Sequence, residues 1–177
     1  MIENFTLLRL SSDTPVKPFD CANKELNGFL FDDANNHAMQ LLAITYVLES
    51  DDETIAYFSV LNDSIRLEDS NRSRFEKIIK IIPFKKRYKS YPAVKVGRFA
   101  VSQKYQSQGI GSELMDYVKG YFLDNNKTGC RFITLDAENN NRTIKFYQKN
   151  GFDFLTSKDE GEENRLMFFD LITYSTY

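Results

Sequence analysis

Gln106-Ser107-Gln108-Gly109-Ile110-Gly111-Ser112 is the stretch on which the fold turns. An apolar, β-branched run from Ala93 to Val101 precedes it, and an amphipathic stretch from Ile110 to about Phe122 follows. Strand, glycine-bearing loop, helix start is an order that builds an anion site. The first N–H groups of a helix have no intrahelical partner, and the helix dipole favours negative charge beside them. Gly109 and Gly111 let the backbone approach a phosphate without interference from Cβ. A P-loop needs four residues between its glycines and then Gly-Lys-Ser/Thr, which this chain lacks. A dinucleotide fingerprint needs a third glycine where Leu114 stands, and sits at the first strand–helix turn rather than past residue 100. On the heptad alone, an ordinary glycine-bearing turn into a helix remains the competing explanation.

Downstream residues narrow the choice. Cys130 to Leu135 reads as a buried strand running into Asp136 and Glu138, and Asn139, Asn140 and Asn141 then offer helix caps. The helix beginning near Arg142 carries Ile144 and Tyr147 at i and i+3 and ends at Gly151, suited to a left-handed C-cap. Phe152-Asp153-Phe154 restarts a strand.

Gln-x-x-Gly-x-Gly after Val96-Gly97-Arg98-Phe99-Ala100-Val101, followed by Phe146-Tyr147-Gln148-Lys149-Asn150-Gly151-Phe152, resembles the two signatures of the GNAT N-acetyltransferases. The resemblance implies an α/β (α+β) fold with a central mixed, mostly antiparallel sheet flanked by helices, as one domain over residues 1–177. It implies acetyl-CoA as cosubstrate and no metal. Gln106, Ser107, Gln108, Gly109, Ile110, Gly111 and Ser112 would cradle its pyrophosphate, and Phe99, Ala100 and Val101 would hold the pantetheine arm. One of Asn140 or Asn141 would contact that arm as well, although capping accounts for both without function.

In this chemistry a free amine attacks the thioester carbonyl directly. By the resemblance, backbone N–H groups near Phe99 to Val101 would polarise the carbonyl, and Tyr147 would protonate or orient the leaving thiolate; a core aromatic with a satisfied hydroxyl is the bland alternative for Tyr147. Ala93 to Val101 contains no carboxylate to act as base; Glu68, Asp136 and Glu138 are the substitutes. Deprotonating a lysine of pKa about 10.4 costs roughly 4–5 kcal/mol at neutral pH, against about 1 for an α-amine near 8, so a missing base favours an α-amino acceptor.

The N-terminal half sharpens the resemblance. Phe19-Asp20-Cys21-Ala22-Asn23-Lys24-Glu25-Leu26-Asn27-Gly28-Phe29-Leu30, Thr45-Tyr46-Val47 and Pro92 to Val101 are similar to blocks of a GNAT subgroup. Its best-known members are toxins that acetylate the α-amine of aminoacyl-tRNA and pair with a small DNA-binding antitoxin. Members often dimerise, so a homodimer is implied. Two rival functions stand beside this one: acetylation of a small amine, polyamine or protein, for which acidic Asp159 to Glu163 is an attractive surface, and a non-catalytic acyl-CoA-binding sensor. The intact loop and Tyr147 weigh against the sensor.

Composition sets the outer bounds. With 177 residues, 42% hydrophobic and 14% aromatic, the chain reads as a packed globule. No basic segment followed by an apolar one opens it, and its longest apolar stretch, Leu41 to Leu48, is too short to span a bilayer; a cytoplasmic protein is expected. Cys21 and Cys130 have no metal or redox spacing, and His37 is the only histidine. The net charge of −2 conceals ten cations against Glu76 alone between residues 71 and 98, a local +9 that leaves −11 for the rest. Such a segment suits tRNA phosphates, while a solvated surface is the commoner cause.

The remaining pattern predicts a strand over Phe5–Leu10, one or two helices from Asp20 to about Gln40, and strands over Leu42–Glu49 and Thr54–Asn62. A connector over residues 63–71, a helix over Arg74–Ile82, a linker over Lys85–Tyr91 and a closing strand over Arg165–Leu171 complete it.

Overall fold

Alternating β-branched and aromatic residues form the strands, and their pairing is recorded in a computed structural model that describes residues 2–66, 68, 75, 76, 78, 80, 82 and 88–174. The strands are β1 (Thr6–Arg9), β2 (Ile44–Glu49), β3 (Thr54–Arg66), β4 (Ser90–Val101), β5 (Phe132–Glu138), β6 (Asp153–Phe154) and β7 (Asn164–Asp170). They lie in one seven-stranded sheet of order β1-β2-β3-β4-β5-β7-β6. β4 and β5 run parallel, with Ala93 against Phe132 and Lys95 against Thr134, whereas β1–β2, β2–β3, β5–β7 and β6–β7 are antiparallel. The expected mixed, mostly antiparallel sheet with flanking helices is present.

By its contacts the chain divides into two compact units, Met1–Leu61 with Val96–Val118, and Asn62–Lys95 with Lys119–Tyr177. In the first, Leu10, Phe19, Phe29, Leu30, Ala34, Val47, Tyr57 and Ala100 form the core. Helices α1 (Lys24–Gly28) and α2 (Ala34–Met39) are joined by a π-helical turn over Phe29–Asp33, closed by the Ala34 N–H on the Phe29 carbonyl. Asn23 caps the start, its side chain accepting from Leu26 N–H at 3.1 Å. His37 packs edge-on against Phe29 with ring centroids 5.3 Å apart, a structural place for the only histidine.

In the second unit Ile65, Phe75, Ile78, Ile82, Tyr91, Ala93, Phe132 and Leu155 cluster, with Leu166 and Phe168 packed on them. Helix α4 (Asn141–Lys149) is capped by Asn140, which accepts from Thr143 N–H at 2.9 Å. Past its end Gly151 adopts φ +82°, and a Cβ there would meet the Phe169 ring at 3.0 Å. Between the units' core-forming segments in sequence lies α3 (Ile110–Leu123), and the described chain closes on a short helix, α5 (Leu171–Tyr174).

Several boundaries differ from the sequence expectation, those of β3 and β4 among them. β3 continues to Arg66, so residues 63–66 are strand and not connector. The polar run Asn62-Asp63-Ser64 hid the alternation, which fully buried Ile65 resumes. β4 begins at Ser90, so Ser90 and Tyr91 leave the expected linker: Tyr91 is buried, and the Pro92 carbonyl accepts from Arg131 N–H at 3.0 Å. Of the expected helix over 74–82, Phe75, Glu76, Ile78 and Lys80 are helical, while Arg74, Lys77, Ile79 and Ile81 lie outside the described residues, as do Lys85, Lys86 and Arg87 of the linker.

Gly151→Ala combines a left-handed backbone angle with a tight contact, and should destabilise the fold by about 1–3 kcal/mol. Urea denaturation at neutral pH reads this as a lower midpoint; an unchanged midpoint would show that the turn can relax around a methyl group.

Candidate active site

The loop after β4 is built by hydrogen bonds that leave its amides free. Ser102 N–H donates to the Ile55 carbonyl at 2.8 Å, fixing the end of the strand, and a 3-10 turn follows over Gln103–Tyr105. The Gln106 side-chain amide donates to the carbonyls of Val101 at 2.9 Å and Cys21 at 3.2 Å, binding the loop to the strand end. Ser107 at φ +62° and Gly109 at φ +92° then turn the chain into α3. The Gly109 carbonyl accepts from Ser112 and Glu113 N–H at 2.9 and 3.1 Å and starts the helix. Among the described residues, the backbone N–H groups of Ser107, Gln108, Gly109, Ile110 and Gly111 take no hydrogen bond.

Five successive free donors at a helix N-terminus suit a phosphate-bearing ligand. A Cβ at Gly109 would meet nothing within 4 Å, so the space before the loop is open on that side. Ile110, Leu114, Met115 and Val118 are buried and hold the helix in place. Positive charge comes from the backbone: Lys104 is neutralised by Glu53 at 2.7 Å, and the Glu113 carboxylate in the first helical turn is occupied by Ile2 N–H at 2.8 Å, which holds it below its usual range.

Phe99 and Val101 are half-buried and Ala100 is buried, in the same unit as the loop. Asn140, Asn141 and Tyr147 belong to the other unit, on or just before α4. Asn140 spends its side-chain oxygen on the cap, while Asn141 is the exposed first residue of the helix. Tyr147 is 8% exposed, between the rings of Phe146 and Phe152 at 5.1 and 5.7 Å. Its hydroxyl takes no hydrogen bond among the described residues, and burial pushes its pKa above the ordinary 10.0.

The carboxylates weighed as bases have partners or exposure of their own. Asp136 is ion-paired with Lys95, Glu68 lies 3.6 Å from Arg66, and Glu138 is exposed at the end of β5. Sequence reading passed over Asp63, which accepts the hydroxyl proton of buried Thr134. The extended alternation of β3 was the signal that would have found it. Asp63, Ser64, Lys95, Thr134 and Asp136 line a cavity of about 210 Å³ with Leu155 and Leu166 as its apolar wall.

Two of the ten cations between residues 71 and 98 are committed within the fold. Lys95 is held by Asp136, and Arg98 pairs with Glu25 at 3.0 Å with its guanidinium 5.2 Å from the Phe29 ring. Lys80 and Lys89 are exposed, while Arg72, Arg74, Lys77, Lys85, Lys86 and Arg87 lie outside the described residues. Cys21 and Cys130 are buried free thiols. Among the described residues no three His, Cys, Asp or Glu side chains gather to hold a metal ion, and no helix is long and apolar enough to cross a membrane.

Residues 42–153 match the family model for the acetyltransferase (GNAT) domain, and the chain belongs to that family. It is an acetyl-CoA-dependent N-acetyltransferase. Its fold is similar to a tyrosine-to-phenylalanine mutant of KacT, with TM-score 0.79 and 22% identity over 98% of each chain. It is similar also to AtaT complexed with acetyl-methionyl-tRNAfMet, with TM-score 0.77 and 21% identity over 97% of this chain and 98% of that one. A third likeness is to a tyrosine-to-phenylalanine mutant of the AtaT toxin bound to the C-terminus of the antitoxin AtaR and acetyl-CoA, with TM-score 0.73 and 20% identity over 98% and 97%. No curated protein sequence matches this chain.

Burial of Tyr147 has a measurable consequence in alkali. Below about pH 10 folded and unfolded chains both keep the proton, and the stability is fully present. Above it the unfolded chain ionises first, so stability falls as pH rises through the raised folded value. Thermal melts from pH 8 to 11 should therefore show a smaller alkaline loss for Tyr147→Phe than for the wild type; equal losses would mean the hydroxyl is not desolvated.

Proposed function

We propose that this enzyme acetylates the α-amine of aminoacyl-tRNA, acts as a toxin paired with a small DNA-binding antitoxin, and works as one acetyltransferase domain over residues 1–177. The observation that carries the donor half is the run of five N–H groups from Ser107 to Gly111 that have no partner among the described residues. Acetyl-CoA supplies an acetyl group activated as a thioester. The Ser107 to Gly111 amides hold its pyrophosphate, with Gln106 keeping the loop on the strand end and Ser112 completing the cradle. Backbone N–H groups of Phe99, Ala100 and Val101 take the pantetheine arm and polarise the thioester carbonyl. Asn140 adds a contact through the amide NH₂ that its capping role leaves over, and Asn141 stands beside it.

The acceptor nitrogen forms the new C–N bond and sheds its proton to water as the C–S bond breaks. Tyr147 directs its hydroxyl proton at the departing sulfur. The absence of a carboxylate in Ala93–Val101 favours an amine that is partly neutral at physiological pH. The relatives described as toxins, one of them with acetyl-methionyl-tRNAfMet and one with an antitoxin, support this reading through a shared fold. The eight cations left in residues 71–98 after Lys95 and Arg98 are set aside give it an electrostatic basis. A polyamine acceptor is the second reading, favoured by the exposed carboxylates of Glu160, Glu162 and Glu163.

Incubation with labelled acetyl-CoA, charged tRNA and spermidine in parallel decides between them. Label is expected on the aminoacyl-tRNA; label on spermidine alone would overturn the tRNA proposal. Tyr147→Phe should lower kcat roughly 100-fold with acetyl-CoA affinity unchanged, and full activity would remove Tyr147 from the chemistry. Lys85→Glu combined with Arg87→Glu should weaken tRNA binding and reduce its logarithmic salt dependence by about 1–2. An unchanged slope would make the segment a solvated surface.

A further inference from the structure

The cavity lined by β3, β4, β5, β7 and Leu155 is not used by any step above. Its polar wall has a definite sign. Asp63 and Asp136 bring two carboxylates against the one ammonium of Lys95, and that ammonium is already bound to Asp136. Thr134, 1% exposed, donates its hydroxyl proton to Asp63 and retains lone pairs. Among the described residues, the second oxygens of Asp63 and Asp136 accept no hydrogen bond. The cavity thus presents spare acceptors and a net negative charge, a combination that repels carboxylates and phosphates and attracts a group that only donates. Leu155, buried, and Leu166, half-buried, supply an aliphatic wall beside these acceptors.

We infer that this cavity binds the primary ammonium of the acyl acceptor together with the first carbons of its aliphatic arm. A primary ammonium carries three N–H donors, which match acceptors on Asp63, Thr134 and Asp136. At about 210 Å³ the cavity is smaller than the roughly 300–1,000 Å³ that encloses a drug-sized ligand. It therefore admits one end of a larger acceptor, as an aminoacyl group is the end of a tRNA. Lys95 stands four residues before Phe99 on β4, so the strand proposed to hold the donor also lines the acceptor cavity. The inference rests on the acetyltransferase reading for its biological meaning, but the binding itself does not require acetyl-CoA.

The test uses the full chain without acetyl-CoA and leucinamide as the probe, with N-acetylleucinamide as the control lacking an ammonium. Calorimetric titration should detect leucinamide and not the acetylated control. Asp63→Asn, which keeps the side-chain shape, should weaken leucinamide at least tenfold. Asp136→Asn, on an exposed side chain, provides a second variant should the first fail to fold. Equal binding of both probes, or unchanged leucinamide affinity in a folded Asp63→Asn or Asp136→Asn protein, would overturn the assignment. Label on tRNA with leucinamide indifferent to these variants removes the cavity alone. Carboxylate-dependent leucinamide binding with no amine ever labelled supports the ammonium site and removes the acetyl-transfer step.

Discussion

The hydrogen-bond accounting at the start of α3 governs much of what this chain can do. A helix must leave its first donors without intrahelical acceptors, and most proteins satisfy them with a side-chain cap. Here Gly109 gives its carbonyl to Ser112 and Glu113, while Gln106 spends its amide on Val101 and Cys21. Among the described residues no side chain returns to the N–H groups of Ser107 through Gly111. The loop is held from behind, by bonds to the strand end, so its front can remain open. Burial of Ile110, Leu114, Met115 and Val118 keeps α3 in place although its first turn is uncapped. The left-handed Ser107 adds strain of order 1 kcal/mol that only a well-anchored loop tolerates.

Charge is distributed by the same economy. The loop draws no net charge from Lys104, which Glu53 neutralises, and the Arg98 and Lys95 side chains of β4 are bound by Glu25 and Asp136. The anionic ligand proposed for the loop would therefore be recognised through oriented amides, which do not pull indiscriminately on other polyanions. Long-range attraction for a nucleic acid has to come from cations elsewhere. For the tRNA acceptor proposed above, such a division would keep the donor phosphate and the nucleic-acid backbone from competing for one basic patch.

The loop and α4 were legible because their chemistry needs particular residues at particular offsets. Gly151 takes the left-handed angle that its position implied, Gly109 also has a positive φ, and Asn140 is the cap among three adjacent asparagines. Strand ends were less legible. Asp63 and Ser64 look like the start of a connector in sequence because, after Asn62, they prolong a polar interruption of an apolar alternation. Tertiary context makes them strand, since Thr134 offers Asp63 a partner that local sequence cannot reveal. The cavity beside Asp63 was invisible for the same reason: its lining comes from five separated stretches of chain, and no spacing rule links Asp63 to Asp136. The basic segment illustrates a different limit, since counting its charges gave no hint that Lys95 and Arg98 were already paired.

Burial of Tyr147 also constrains the catalytic part proposed for it. A thiol ionises near 8.5 and an ordinary tyrosine near 10, so full proton transfer from tyrosine to a thiolate already runs uphill by about 2 kcal/mol. Packing between Phe146 and Phe152 raises the tyrosine further and makes complete transfer costlier. The same burial strengthens a hydrogen bond directed at a charge that forms beside it, because little water competes. Tyr147 is thus better suited to stabilising the sulfur while the C–S bond breaks than to surrendering its proton beforehand. In the proposed mechanism the proton on the released thiol then comes from water through the tyrosine or around it, and the amine's own proton is lost to the same solvent. An acceptor of low basicity needs no stronger base than this, and the absence of a carboxylate from Ala93–Val101 becomes a feature of the chemistry.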